Sequence, residues 1–437
     1  MKPKIFYIGD NRNSENWGRG ASIALRQMLS DEFEISGSVP GESFNLSKAD
    51  AGYVGMLIPH RFYRHFRYLL ERRARKSIGW YIRLEELCGA RDFIAEDPSV
   101  SINNLISYKG RNPELARIYD EASQADLIVI DGDGDIIFSA PPRRSALFFL
   151  AMIELGVRLK KPVFLVNSMI SDCPKTGRNM KTMTSYAEML RKCRAVTLRD
   201  PESLKYVQTE MPETNCSLIP DSLFSWFPIY QTGESRLPAS GDFTLPFPEK
   251  EELWGKLDFS EPYICIGGGA SAAGSPDVAE QSYSQLVASI KQLGYSVYLT
   301  ENDLPDSFLY RVAKEQGVGV IPATTSILTC GAIVSNARLF ISGRYHPSIL
   351  ASLGGTPCIF LGTHSHKSAS LSRVLEYDVH RQFSALPQGS EIDEIVLLAR
   401  DYLEQGESIR SRIRGIAKSR YEEALTLPSL LQRHLNG

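Results

Sequence analysis

The stretch LFISGRYHPSILASLGGTPCIFLGTHSHK, residues 339–367, decides the fold of its half of the chain. Its first apolar run is short and ends at Ser342, followed by glycine, which is typical of a buried strand. Apolar residues then recur at helical spacing up to Gly354, and the run CIFL predicts the next strand. The stretch therefore predicts one βαβ unit.

Arg344 and His346 directly follow the first strand of this unit. Open α/β sheets bind ligands at the carboxyl ends of their strands, and the exposed N–H groups of a helix N-terminus favour an anion there. The alternative is that Arg344 caps the helix and His346 is a satisfied surface histidine. These two residues alone leave both interpretations open.

Length and composition bound the class of protein. At 437 residues the chain exceeds one ordinary core, which predicts two or three domains, and its net charge of −2 gives no global basic field for nucleic acid. The seven cysteines form no CxxC pair, which favours reduced thiols and no zinc site. The N-terminus lacks a signal-peptide pattern and no apolar run has the length of a membrane span, so we expect a cytoplasmic protein.

Several other strand ends in the first half carry polar residues. A first strand at residues 4–9 leads to a loop with Asn16 and Trp17, and we expect this loop to touch a substrate. Its glycines lack the spacing of a dinucleotide-binding motif. A later strand, residues 195–198, delivers Arg199 and a helix that Asp200 is expected to cap.

The strand at residues 125–130 ends in the loop Asp131-Gly132-Asp133-Gly134-Asp135. Alternating carboxylates can suggest a divalent cation, but the loop lacks the context and the distal glutamate of an EF-hand. We therefore expect no metal, and glycines that let the backbone approach a substrate.

A basic segment interleaved with aromatic residues occupies residues 59–76, PHRFYRHFRYLLERRARK. As a helix it would suit an anionic membrane surface or a polyanionic glycan. A solvated helix face with its apolar stripe packed on the domain is the alternative.

The regular pattern stops between residues 228 and 262, which are rich in proline and are predicted to be an interdomain linker. Residues 263–437 then form a second strand and helix series that opens with the glycine-rich loop 267–274. The fold class predicted is α/β, with two Rossmann-like domains, residues 1–227 and 263–437, facing each other across a cleft.

Taken together, these strand ends resemble the polysaccharide pyruvyl transferase family. The matching pieces are Asn16-Trp17-Gly18, the glycine-rich loop 131–135, Leu198-Arg199-Asp200-Pro201-Glu202-Ser203, Pro220-Asp221, and above all Ser342-Gly343-Arg344-Tyr345-His346 with Gly354-Gly355-Thr356-Pro357. The similarity spans roughly residues 5–370. The loop 131–135 is more acidic than the family pattern, and the basic segment 59–76 looks like an insertion.

The resemblance implies a GT-B-type architecture and transfer of the pyruvyl group of phosphoenolpyruvate to two hydroxyls of a sugar, without a further cofactor. It also implies catalytic or donor-binding roles for Arg199, His346 and a lysine after the strand 358–361, for which Lys367 is the nearest match. His364 and His366 lie close enough to compete for that last position.

The chemistry of a small trianionic donor assigns further roles. Arginine suits bidentate contact with carboxylate or phosphate, lysine supplies a point charge, and histidine exchanges protons near neutral pH. The predicted catalytic residues are His346, Arg199 and Asp221. Donor-binding residues are Arg344, Lys367, Gly267, Gly268, Gly269 and Ser271, and acceptor-binding residues are Asn16, Trp17 and Asp133. Asp221 could instead merely cap the next helix.

Two other functions remain open at this point. A nucleotide-sugar glycosyltransferase of the same architecture would hold its donor diphosphate in the loop 267–274. A non-catalytic sugar- or lipid-binding module would use the segment 59–76. The expected partners are a saccharide or lipid-linked glycan acceptor and possible contact with the inner face of an anionic membrane, with no nucleic acid.

Overall fold

The computed structural model describes residues 2–41, 48–50, 91–110, 112–231, 257–363, 365–377 and 382–436. The basic segment 59–76, residues 232–256 of the predicted linker and His364 lie outside the described residues.

Two parallel sheets, one in each half of the chain, organise the fold. The first has six strands in the order β10-β9-β7-β5-β1-β2, and the second has five in the order β13-β12-β11-β14-β15. The strands are β1 (Lys4–Ile8), β2 (Glu34–Val39), β3 (Lys48–Asp50), β4 (Arg91–Asp92), β5 (Leu127–Asp131), β6 (Ile136–Phe138), β7 (Val163–Ser168), β8 (Ile170–Asp172), β9 (Ala195–Leu198), β10 (Cys216–Leu218), β11 (Tyr263–Gly267), β12 (Ser296–Thr300), β13 (Gly319–Ile321), β14 (Leu339–Ser342) and β15 (Cys358–Phe360).

Helices connect the strands and cover the sheets. They are α1 (Arg19–Ser30), α2 (Pro98–Tyr108), α3 (Pro113–Gln124), α4 (Arg144–Arg158), α5 (Met180–Leu190), α6 (Pro201–Glu210), α7 (Phe227–Tyr230), α8 (Pro276–Lys291), α9 (Leu309–Gln316), α10 (Ile327–Asn336), α11 (Tyr345–Leu353), α12 (Lys367–Val374), α13 (Ser390–Gln405), α14 (Glu407–Ala424) and α15 (Leu427–Asn436). Three-residue to five-residue 3-10 helices occur at Ser222–Trp226, Ala272–Gly274 and Leu304–Phe308.

The sequence explains why these elements form. Strand β5 is buried at every position, as expected for a parallel strand covered on both faces, and its sequence LIVID is almost continuously apolar. The predicted βαβ unit is confirmed, because β14 pairs in parallel with β15 and α11 connects them. Asp200 caps α6 as expected, since its side chain accepts a hydrogen bond of 2.9 Å from the Ser203 amide.

The chain passes between the two halves at two places. After β10, the 3-10 helix Ser222–Trp226 and α7 bury Leu223, Phe224 and Tyr230 in the core of the second half. At the end of the described chain, α15 returns to the first half, where Leu427 and Leu431 join the core cluster that contains Phe33. The predicted class, α/β with two Rossmann-like domains, is confirmed.

None of the described helices is long and apolar enough to cross a membrane.

Candidate active site

A cavity of about 410 Å³ lies between the carboxyl ends of the two sheets. Both halves contribute to it, because it is bounded by loops that follow β1, β5 and β9 in the first sheet and β11, β12, β14 and β15 in the second. Predicted site residues that line it are Asn16, Trp17, Asp133, Arg199, Arg344, His346 and Lys367.

Arg199 is the centre of the site. It follows β9, is only 1 % exposed, and donates from Nη1 to Asp133 Oδ1 at 2.5 Å and to Asp221 Oδ2 at 2.9 Å. The same nitrogen lies 3.2 Å from His346 Nε2, which comes from the opposite half. The structure thus brings the three predicted catalytic residues, Arg199, Asp221 and His346, into direct contact.

Part of the Arg199 guanidinium is left over for a ligand. Its Cζ lies 4.3 Å from the centre of the Tyr345 ring, a cation–π contact that fixes the guanidinium plane. Nε and Nη2 are buried and have no hydrogen-bond partner within the described part of the chain. A buried donor without an acceptor is costly, so these two nitrogens suit an anionic ligand group.

His346 is the second residue of α11 and is 8 % exposed, so the interpretation of a surface histidine is wrong. Its Nε2 lies 3.5 Å from both Asp133 Oδ1 and Asp221 Oδ2. The ring is therefore held between two carboxylates and the Arg199 guanidinium, and it also lines the cavity.

The two carboxylates stay ionised in this setting. Burial by itself would raise the pKa of Asp133, but Arg199, His346 and Lys367 lower it well below its usual range. Burial by itself would also raise the pKa of Asp221, but His346 and Arg199 outweigh this effect, so the pKa is lowered. Asp221 additionally accepts from the Leu223 amide at 2.9 Å, so it both caps the 3-10 helix and pairs with Arg199.

Asp131 holds the acidic loop in place. Its carboxyl group accepts hydrogen bonds from the Tyr7 hydroxyl at 2.9 Å, from Asn167 Nδ2 at 3.2 Å and from the Asp133 amide at 3.3 Å. Burial, reinforced by Asp133, raises the pKa of Asp131 to about 8. The loop turns at Asp133 with a φ of 41°, which presents its side chain to Arg199.

Lys367 is the first residue of α12 and reaches the same loop from the second half. A side chain at Gly134 would collide with Lys367 Nζ and would lie 3.1 Å from Arg199 Nη2, so Gly134 leaves room for both cations. Burial lowers the pKa of Lys367, although Asp133 opposes this shift.

Arg344 has a different setting from the other cations. It does not cap α11 through its side chain, but pairs with Asp306 at 2.6 Å and with Asp303 at 3.3 Å. These carboxylates use Nη1, Nη2 and Nε, so much of the predicted donor-binding capacity of Arg344 is already satisfied. Its role in donor binding stays a prediction.

The glycines predicted to bind the donor pack against neighbouring strand ends. A side chain at Gly267 would meet Asn302, Ser342 and Thr300, and one at Gly268 would meet the Asp306 carboxylate. Gly269 lies against the Gly343 backbone, and Ser271 precedes a short 3-10 helix. Of the loop 267–274, Ala270 is the residue that lines the cavity.

Two predicted acceptor-binding residues, Asn16 and Trp17, lie on the loop after β1, whereas the third, Asp133, lies beside Arg199. Trp17 is fully buried, and its amide donates to the Asn302 carbonyl across the two halves at 2.9 Å. A side chain at Gly18 would lie 2.8 Å from Asn16 Oδ1 and 3.0 Å from His346 Nδ1, so this loop reaches the imidazole. Among the described residues, no group of three or more His, Cys, Asp or Glu side chains could hold a metal ion.

Sequence reasoning missed Arg143, Ser145 and Tyr345, all of which line the cavity. For Arg143 and Ser145, the sequence feature that indicates a site is a basic residue at the start of an apolar helix that follows a strand end. Tyr345 lies inside the motif of the β14–α11 unit but was not assigned a role.

An interdomain latch connects α6 of the first half to α12 of the second; we define it as Asp200, Glu202, His366, Ser370 and Arg373. His366 Nε2 lies 3.1 Å from Asp200 Oδ1, and Glu202 accepts from both Ser370 and Arg373. Because Lys367 is the first residue of α12, the latch fixes the position of this lysine relative to the acidic loop.

We expect Glu202→Ala to lower kcat/KM about tenfold, because a small displacement of a positioned group lowers turnover while a partly exposed ion pair adds only about 0–1 kcal/mol of stability. Steady-state kinetics and thermal unfolding of the purified variant measure both effects. The matched control is Glu210→Ala, since Glu210 lies on the same helix but pairs with Arg178 inside the first half. Equal losses of activity in both variants would contradict the positioning role.

Comparisons with known families and solved structures bear on the family and the fold of the chain. A model of the family described as "Polysaccharide pyruvyl transferase" matches residues 20–365, which confirms the resemblance noted in the sequence. No curated protein sequence matches the chain at a significant level.

Two solved structures support the architecture. A protein assigned as a UDP-N-acetylglucosamine 2-epimerase from Listeria monocytogenes superposes with a TM-score of 0.51 at 11% identity, covering 98% of this chain and 96% of that one. A variant of Os79 from O. sativa in complex with UDP gives a TM-score of 0.51 at 10% identity, covering 99% and 100%. At such identities the likeness shows the fold alone, which is of the GT-B type.

Proposed function

The chain belongs to the polysaccharide pyruvyl transferase family, and from that premise we propose that it moves the pyruvyl group of phosphoenolpyruvate onto two hydroxyls of a sugar. The observation that carries the proposal is the convergence of Arg199, His346 and Lys367 in one cavity from three separate strand ends. A small trianionic donor needs such a gathering of cations and N–H donors in a site that excludes water.

The proposed reaction balances as follows. The carbon–carbon double bond of the donor becomes a single bond as its methylene carbon gains a proton and becomes a methyl group. C2 forms two bonds to sugar oxygens and loses its bond to the phosphate oxygen. Two hydroxyl protons leave the sugar. One balances the proton gained by the methyl group, and the other leaves with the phosphate as hydrogen phosphate.

The residues suit distinct parts of this reaction. The unpartnered edge of Arg199 and the Lys367 ammonium would neutralise the donor's negative charge. His346 would exchange the proton with the donor or an acceptor hydroxyl, since an imidazole can donate a proton at one nitrogen and accept one at the other. Asp133, Asn16 and Trp17 would orient the acceptor hydroxyls, and Asp221 would hold the side chains of Arg199 and His346 in place.

A nucleotide-sugar glycosyltransferase is the alternative, and the loop that it requires is poorly placed for a diphosphate. Gly268 lies directly over the Asp306 carboxylate, and α8 begins only at Pro276, after an intervening 3-10 helix. The helix N-terminus that favours a diphosphate therefore does not directly follow these glycines.

The donor is tested by incubating the full chain with phosphoenolpyruvate and a panel of saccharide and lipid-linked acceptors, with released phosphate as the readout. We expect phosphoenolpyruvate to raise the melting temperature of the protein and UDP-sugars not to, because only a ligand of the native state stabilises it. Consumption of a nucleotide sugar, without release of phosphate from phosphoenolpyruvate, would replace this proposal by the glycosyltransferase.

The wider setting is part of the same proposal. We place the reaction in the assembly of a surface polysaccharide, on the cytoplasmic side of the cell membrane, with the basic segment 59–76 as the candidate membrane contact. Loss of binding to anionic vesicles on neutralising Arg61, Arg64 and Arg67 is the expected result, and unchanged partition would leave the alternative of a solvated helix face.

A further inference from the structure

The cations around the cavity differ in how far the protein itself satisfies them. Arg344 is paired with two carboxylates, and Arg199 uses one nitrogen for two more. Arg143 and Lys367 also line the cavity, yet neither makes a hydrogen bond or an ion pair with another residue in the described ranges. The uncompensated positive charge of the site therefore lies on one wall, next to the loop 131–135.

The same wall contains the N-terminus of α4, a helix of 15 residues. Arg143 is its N-cap residue and makes no side-chain capping bond, and the amides of Ser145 and Ala146 have no acceptor among the residues that the structure describes. Ser145 is 9 % exposed and lines the cavity, and its hydroxyl has no hydrogen-bond partner in the described chain either. An unpartnered hydroxyl on a largely buried residue that lines the cavity, beside uncapped amides, leaves several donors available to a ligand.

These groups match the needs of one kind of ligand. A phosphoryl group presents three oxygens that accept several hydrogen bonds at once, and the N-terminus of a helix favours its negative charge. Arginine adds a planar donor pair, and lysine adds a point charge. We propose that Arg143, Ser145 and the N-terminal amides of α4, together with Lys367, form a phosphate-binding site that holds the phosphoryl end of the donor and then the released phosphate.

This assignment rests on the proposed function for the identity of the donor, and it orients that donor. Lys367 Nζ and Arg199 Nη2 both lie against Gly134, so the phosphate site adjoins the unpartnered edge of Arg199. With the phosphoryl group at the N-terminus of α4, Arg199 binds the donor carboxylate. C2 of the donor then lies between α4 and Arg199, on the side of His346.

Two acidic groups adjoin this wall, Asp133, which pairs with Arg199, and Asp135. Asp135 lines the cavity, and its negative charge would oppose a bound phosphate. Burial, with the help of Asp133, raises the pKa of Asp135, which reduces this opposition. The balance of charge on the wall remains in favour of an anion.

The test measures binding of inorganic phosphate and of phosphoenolpyruvate to the full chain by titration calorimetry, for the wild type, Arg143→Gln and Ser145→Ala. We expect Arg143→Gln to weaken both ligands about 10- to 100-fold, as for loss of a charge-assisted hydrogen bond, and to weaken product inhibition by phosphate in parallel. Arg143→Lys should recover part of the loss. The matched control is Arg144→Gln, which removes the same charge one residue away, where the side chain does not line the described cavity.

Equal weakening of binding in Arg143→Gln and Arg144→Gln would contradict the site and indicate a general electrostatic effect. Unchanged binding in Arg143→Gln would also contradict the site. Failure of the wild type to bind either ligand would also overturn it. If phosphate binds in a manner that depends on Arg143 but phosphoenolpyruvate does not bind, the site stands and the proposed function fails. If both ligands bind and Arg143→Gln leaves their affinities unchanged, the proposed function stands and this site is wrong.

Discussion

Replacing Arg199 with methionine is expected to lower turnover about 100- to 1,000-fold or more and to destabilise the fold by about 3–5 kcal/mol. The loss of stability follows because Asp221 would be left as a buried charge, and Asp133 as a partly buried one, without their common partner. The loss of turnover follows because Nε and Nη2, which have no partner in the described chain, are removed from a residue that lines the cavity.

The two effects can be separated with further variants. Adding Asp221→Asn to Arg199→Met removes one stranded charge while Asn keeps the oxygen that caps Leu223, so stability should recover in part and turnover should not. Arg199→Lys keeps the charge but not the planar contact over Tyr345, and we expect it to fold and to remain slow. Chemical denaturation and steady-state kinetics give the two readouts. Near-normal turnover in Arg199→Lys would show that charge alone suffices.

For His346→Gln we expect kcat to fall about 100- to 10,000-fold while the donor still binds, because the amide can fill the space but cannot exchange a proton. Other residues neutralise the negative charge of the donor, so the midpoint of phosphoenolpyruvate binding should stay within a few-fold of the wild type. This separates His346 from Arg143, for which the main loss should appear in donor binding.

The comparison uses kcat and an independent binding titration for each variant. His434→Gln is the matched control, since His434 lies on α15, away from the residues that line the described cavity. If His346→Gln keeps the wild-type kcat and raises only KM, the imidazole binds substrate and does not transfer the proton.

Much of the site followed from the sequence because parallel strands end at the same edge of a sheet. Arg199 comes directly after β9 and His346 shortly after β14, so a correct strand assignment placed both at the cleft. The family resemblance was needed for Lys367, because six residues, 361–366, separate it from β15 and two histidines lie close by. The structure places its ammonium against Gly134.

Other features could not be read from the chain because they depend on pairs far apart in it. The ion pair of Arg344 with Asp306 and the latch between Glu202 and Arg373 join residues from different strand ends or different halves. Gly268 looked like part of a phosphate loop, whereas its lack of a side chain serves close packing against Asp306. The spacing of glycines predicts a close approach to the backbone, but it does not tell whether a ligand or a side chain makes that approach.

The two passages of the chain between the halves have a mechanical consequence. One begins at Asp221 and the other ends at Leu427, and a body attached to another at two points keeps a single axis of rotation that runs through both attachments. Groups near that axis hardly shift when the halves turn, and groups far from it sweep an arc. Arg199 and Asp221 both follow strands of the first sheet, so their ion pair lies within the first half and does not depend on such a turn. Lys367 belongs to the second half and meets the acidic loop of the first, so its position relative to that loop depends on the contacts between α6 and α12.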